Sequence, residues 1–202
     1  MSLVVETYCS INKNGVFKNG KPLLLNEQAS FVDFMKSIYK ANEVGYAKFF
    51  KMDELCKLAF MSGEVLLKGL DLSVEKTGIV LGNCHSSYTS DVKHQNSIKD
   101  REDYFPSPAV FVYTLPNIMI GELCIRHKIQ GENSCFLMQD FDADFINEYV
   151  RDLFQHEAYK YCITGWVDYH PDKYEAHLFL IKDSDDDSKQ LLDKNILKLI
   201  QR

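Results

Sequence analysis

No stretch of this chain approaches the roughly 18 consecutive apolar residues of a membrane span, so a transmembrane helix is excluded. The opening residues, Met1-Ser-Leu-Val-Val-Glu6, carry no basic segment, and their apolar run stops at Glu6; no secretory leader is expected. Basic runs are also missing. Lys plus Arg number 23 against 29 for Asp plus Glu, a net charge of −6, and a phosphate-backbone binder normally presents a basic face. Nucleic acid is therefore not an expected partner, nor is a membrane. The six cysteines (Cys9, Cys56, Cys84, Cys124, Cys135 and Cys162) never occur as Cys-x-x-Cys, and no two histidines are spaced i, i+4. Neither a zinc site nor a disulfide framework is supported, and no cofactor motif is present. Free thiols in a reducing cytoplasm are the expectation.

What is present is an ordinary globular composition, 46% hydrophobic and 26% charged over 202 residues. A single domain of that length buries roughly 70% of its unfolded surface and needs no staple. Residues Leu3–Tyr8 read as a strand, followed by turn signals at Asn14-Gly15 and Asn19-Gly20. Phe31, Phe34, Met35 and Ile38 place one helix over 30–39, and Leu55, Leu58, Ala59, Met61, Val65 and Leu66 a second over 52–67. The apolar segment Thr77–Gly82 reads as a strand buried on both faces. Residues 83–103 read as polar loop, 117–128 as a short helix, 134–138 as a strand and 141–156 as a helix. Two strands, 161–167 and 176–181, close the series. An acidic link from Asp183 then leads to a small helix carrying Leu191, Leu192, Ile196, Leu199 and Ile200. This order implies an α/β layered domain over 1–182, with 183–202 as link and helix.

Several constellations invite a chemical reading. Asp183, Asp185 and Asp187 open like a calcium loop, but Ser188 stands where Gly is needed and Lys194 where a bidentate Glu belongs. Cys84-His85 sets a thiol beside an imidazole, as a nucleophile and base or simply as a loop after a strand. His170-Pro-Asp172 reads as a turn, and His177 as a strand residue that points outward or packs within. The strand-to-helix junction at 138–144 is where helix N–H groups and the macrodipole favour an anion or thiolate. The residues there are Gln139, Asp140, Asp142 and Asp144; read locally, Asp140 caps the helix and the other acids complement its dipole.

The order of segments resembles the N-terminal half of the β-ketoacyl-acyl-carrier-protein synthases of the thiolase superfamily. The resemblance rests on Leu3–Tyr8, Lys51–Ala59, Gly78–Gly82, the run from Phe105 through Asn117 and Gly121 to Asn133, and Thr164-Gly-Trp-Val-Asp168, spanning most of 3–182. It implies a thiolase-like half, with a mixed sheet of roughly five strands covered by helices. It also places the nucleophilic Cys seven residues after the Asn that ends Gly-Pro-Asn. Counted from Asn133, that position is Asp140, while Cys135 falls five residues early, within the strand. The resemblance thus implies a truncated, non-condensing homologue that partners an acyl carrier protein or a complete ketosynthase, as a homo- or heterodimer. Fatty-acid, polyketide or aryl-polyene-type synthesis is the implied setting, and Ser134–Met138 the implied pairing edge. The enzymatic alternative is acyl transfer or thioester hydrolysis around Asp140, with Cys84 or Cys135 nearby.

Overall fold

The computed structural model describes residues 2–72, 76–102, 104–156, 159–184 and 189–197. Its centre is a mixed eight-stranded sheet in the order β3-β2-β1-β7-β6-β4-β5, with β8 pairing β1. The strands are β1 (Leu3–Asn12), β2 (Gly15–Lys18), β3 (Lys21–Leu25), β4 (Thr77–Asn83), β5 (Asn133–Leu137), β6 (Tyr161–His170), β7 (Lys173–Asp183) and β8 (Gln190–Leu191). The five strands legible in the sequence are β1, β4, β5, β6 and β7, and three more widen the sheet. Asn19 and Gly20, at φ 50° and 75°, form the primed turn that suits a two-residue hairpin between β2 and β3. The notion of roughly five strands is corrected accordingly.

Helices α1 (Phe31–Ala41), α2 (Glu54–Leu67) and α5 (Ile118–His127) cover one face; α6 (Ala143–His156) and α7 (Lys194–Leu197) cover the other. Ser30 and Asp53 start α1 and α2 by accepting the N–H of Asp33 and Cys56, respectively. Most of α2 is buried because it lies between the sheet and its flanking helices, so its apolar positions run around the cylinder. On this face Phe34, Ile38, Leu58, Leu66, Leu123 and Leu178 belong to a core that also holds Cys135. On the other face Val80, Ile146, Val150, Trp166, Phe179 and Leu197 form a second, smaller core.

Two segments differ from the expectation. Residues 83–103 are not all loop, because α3 (Tyr88–Ile98) forms there, followed by the short α4 (Pro108–Val112). Helix α3 has Ser90 as its one buried residue and hence no apolar stripe to betray it. Near the other end, Leu191 belongs to β8 rather than to a helix, while Leu192 is buried beside α6. Asp185, Asp187, Ser188, Leu199, Ile200 and the side chains of Lys194 and Ile196 lie outside the described residues. Among the described residues, no helix is long and apolar enough to cross a membrane.

Candidate functional site

Strand β4 pairs in parallel with both β5 and β6, so the carboxyl ends of all three open on one side of the sheet. In open α/β sheets that edge is where ligands gather. Two glycines shape it. A Cβ at Gly165 would lie 1.9 Å from the His177 carbonyl oxygen, and one at Gly82 would lie 2.8 Å from the Trp166 ring. Glycine at these positions lets β6 approach β7 and lets Trp166 lie over β4.

The chain leaving β4 is organised by two buried side chains. The Asn83 amide donates to the Val167 carbonyl at 2.8 Å and to Asp168 Oδ1 at 3.1 Å, while Asn83 Oδ1 accepts the Ser86 N–H at 2.6 Å. Asp168, only 7% exposed, also receives the N–H groups of Cys84 (3.1 Å) and His85 (2.8 Å) on Oδ1. Its Oδ2 lies 2.6 Å from His85 Nδ1. A carboxylate accepts only, so in the neutral ring the proton sits on Nδ1 in that bond and Nε2 keeps its lone pair. Ser86 adopts a left-handed conformation (φ 54°), which turns the chain into α3. The His85 side chain is 43% exposed, and its ring lies 4.9 Å from that of His170, which in turn stacks on Tyr88 at 5.4 Å.

Cys84 shares this corner and packs toward the α6 face. Burial pushes its thiol up, Asp168 and Asp140 push it the same way, and Lys173 opposes them. Cys135 lies in register with Leu81 in mid-strand and packs on the α2 face, where burial pushes its thiol up to about 11. The two candidate thiols therefore stand on opposite faces of the sheet, and neither is activated as a thiolate. Asp140 is exposed on the connection from β5 to α6. It is not the helix cap: Asp142 is, accepting the Phe145 N–H at 3.0 Å.

Beyond Trp166, strand alternation brings Asp168 and His170 opposite Glu175 and Lys173 of β7. A cavity of about 520 Å³ opens there, lined by Asn12, Pro171, Lys173, Tyr174, Glu175 and His177. Burial holds the His177 imidazole below its ordinary value; Glu175 opposes this and Lys173 adds to it. The site thus gathers Cys84, His85, Asp168 and His170, with Asp140 close enough to act on the thiol. No spacing in the sequence pairs His85 with Asp168. An acid ending the buried apolar run Tyr161–Val167 was the signal available. No group of three or more potential metal ligands occurs among the described residues.

No family model matches the chain, and no curated protein matches it by sequence. Solved structures match its fold. The ishigamide ketosynthase/chain length factor superposes with a TM-score of 0.70 at 14% identity, over 94% of this chain and 64% of that one. The structure of a ketosynthase in complex with its chain length factor from Xenorhabdus doucetiae matches with a TM-score of 0.57 at 14% identity, over 91% and 80%. A third match comes from a type II PKS acyl-carrier protein in complex with its ketosynthase bound to the hexaketide. There the TM-score is 0.63 at 13% identity, over 90% of this chain and 62% of the other. The fold is thus the thiolase-like one of ketosynthase and chain length factor proteins. This chain spans less than two thirds of the length of the first and third.

Proposed function

We propose that this protein is a non-condensing partner subunit of a ketosynthase in polyketide-type synthesis, meeting an acyl carrier protein or the ketosynthase itself. The observation that carries the reading is Asp140. At the position where the resemblance implies a nucleophilic thiol, the chain presents an exposed carboxylate on the strand-to-helix connection. Acyl transfer onto a carboxylate yields a mixed anhydride, which water destroys far faster than a thioester. Cys84, whose thiol feels the Asp140 charge, is held in its thiol form by burial and by two carboxylates. Condensation would therefore lack its first covalent step.

The proposed pairing surface is β5. It is the terminal strand of the sheet, and its outer edge carries unpaired backbone groups ready to extend a partner's sheet. Leu137 is exposed at the end of β5 on the α2 face, and on the α6 face of this edge Phe136, Phe145 and Tyr149 form an aromatic cluster, with ring centroids 4.8–6.0 Å apart. Such a patch is apolar enough to be covered in an assembly.

The test is the intact mass of the purified chain after incubation with acetyl- and malonyl-loaded carrier protein. An unchanged mass is expected, together with co-elution of the chain with a ketosynthase on size exclusion. An acyl adduct on a cysteine would overturn the non-condensing reading and identify the nucleophile.

A further inference from the structure

We propose that His85, oriented by Asp168, is a general base that activates water for the hydrolysis of an acyl thioester at the carboxyl ends of β4 and β6. The substrate class rests on the function proposed above; the base rests on geometry alone. A histidine works as a base when one nitrogen is anchored and the other is free and reachable. Here Nδ1 is anchored at 2.6 Å to a carboxylate that is itself held by three further donors, one side-chain amide and two backbone N–H groups. The ring therefore has a fixed tautomer and a fixed direction. Its Nε2 has no hydrogen-bond partner among the described residues, and the side chain is open enough to meet water.

The His170 and Tyr88 rings wall one side, and the cavity of about 520 Å³ lies one strand away, within the size range of small-molecule sites. The ionisable neighbours are Asp168 and His170 on β6, Lys173 and Glu175 on β7, Asp140 on the β5–α6 connection, Cys84 beside the base and Asp91 in the first turn of α3. Asp172 follows at the β6–β7 turn, where its N–H reaches His170 Nδ1 at 3.4 Å.

In the proposed step, Nε2 takes a proton from water as the water oxygen adds to the thioester carbonyl carbon. The tetrahedral adduct then collapses, the C–S bond breaks, and the departing sulfur takes the proton back from the imidazolium. The products are a carboxylic acid and a thiol, and no oxidant or metal is required. Asp168 acts through His85 as a positioning residue, keeping the tautomer and steadying the transient positive charge.

The experiment uses the purified full chain with acetyl- and malonyl-N-acetylcysteamine, with the released acid followed by NMR. Hydrolysis above the buffer rate is expected. His85→Gln should lower the rate at least a hundredfold, Asp168→Asn at least tenfold with loss of the Nδ1–H signature of His85, and the control His156→Gln not at all. Absence of hydrolysis at every pH, or an unchanged rate in a folded His85→Gln protein, would sink the proposal. A long-range proton–nitrogen correlation spectrum should show the proton of neutral His85 on Nδ1, and finding it on Nε2 would equally overturn it. The two readings fail separately. A cysteine adduct in the mass experiment removes the non-condensing role but not the base, whereas missing hydrolysis removes the base and leaves the partner role intact.

Discussion

Strands β4 and β5 lie side by side, run in the same direction and end within one residue of each other, yet their exits are built differently. The chain leaving β4 is pinned by side chains from within the fold: Asn83 and Asp168 hold Cys84, His85 and Ser86 through four hydrogen bonds, and two more tie Asn83 to Val167 and Asp168 of β6. The chain leaving β5 is held by local means, with Asp142 capping α6 and Asp140 standing in solvent. Buried polar networks are costly unless every member is satisfied, and this one is. The ordered corner is therefore the β4 exit. The junction that resemblance singles out by counting from Asn133 is the simpler one.

That contrast breaks first at Asp168. Replacing it with Ala removes the acceptor of one Asn83 amide proton and of two backbone N–H groups. The expected loss is about 3 kcal/mol of unfolding free energy in urea titrations. An Asp168→Ala protein as stable as the parent would mean that the corner is ornamental. Next comes thiol reactivity. With its thiol pushed up to about 11, Cys135 is only about 0.1% thiolate at pH 8. Iodoacetamide labelling of the native protein should there be more than a hundredfold slower than that of free cysteine, climbing about tenfold per pH unit toward 11. Mass spectrometry of quenched samples reads this rate. Asp142→Ala should cost about 1 kcal/mol through the lost cap of α6. The smallest effect belongs to Asp140→Ala, expected to change stability by less than about 0.5 kcal/mol in the same titration.

The sequence was informative where burial leaves a period. The two-faced burial of β4 produces an unbroken apolar run, and α1 and α6 carry apolar residues at i, i+3, i+4 spacing, so all three are plain to read. The elements that escaped lack that imprint. Strand β3 is mostly exposed and contains Pro22, and α3 buries only Ser90, so neither shows a stripe. The turns at Asn14-Gly15 and Asn19-Gly20 did announce the hairpins around β2. The site was legible only as loose parts. Cys84-His85 was visible as a pair, but the residue that orients His85 lies 83 positions later. No local pattern reports such a distance. Asp140 is singled out by a count from a motif, and a count carries no information on burial.

One feature of the sheet bears on how the chain reaches this structure. Strand β1 is flanked by β2 on one side and by β7 on the other, so Leu3 is matched with Asp183, some 180 positions along. Only the hairpin side of β1 can form early. At synthesis rates of 5–20 residues per second, the partner for its other edge emerges roughly 10–35 s later. During that interval Leu3, Val4 and Val5 are paired on neither edge, because β2 reaches only Cys9–Asn12 and their other neighbour, β8, comes later still; half of the sheet is not yet assembled. Assembly is therefore governed by the slowest loop to close, between the first strand and the β6–β7 hairpin. A destabilised hairpin at β6–β7 would prolong the exposure of a strand that lies at the other end of the sequence.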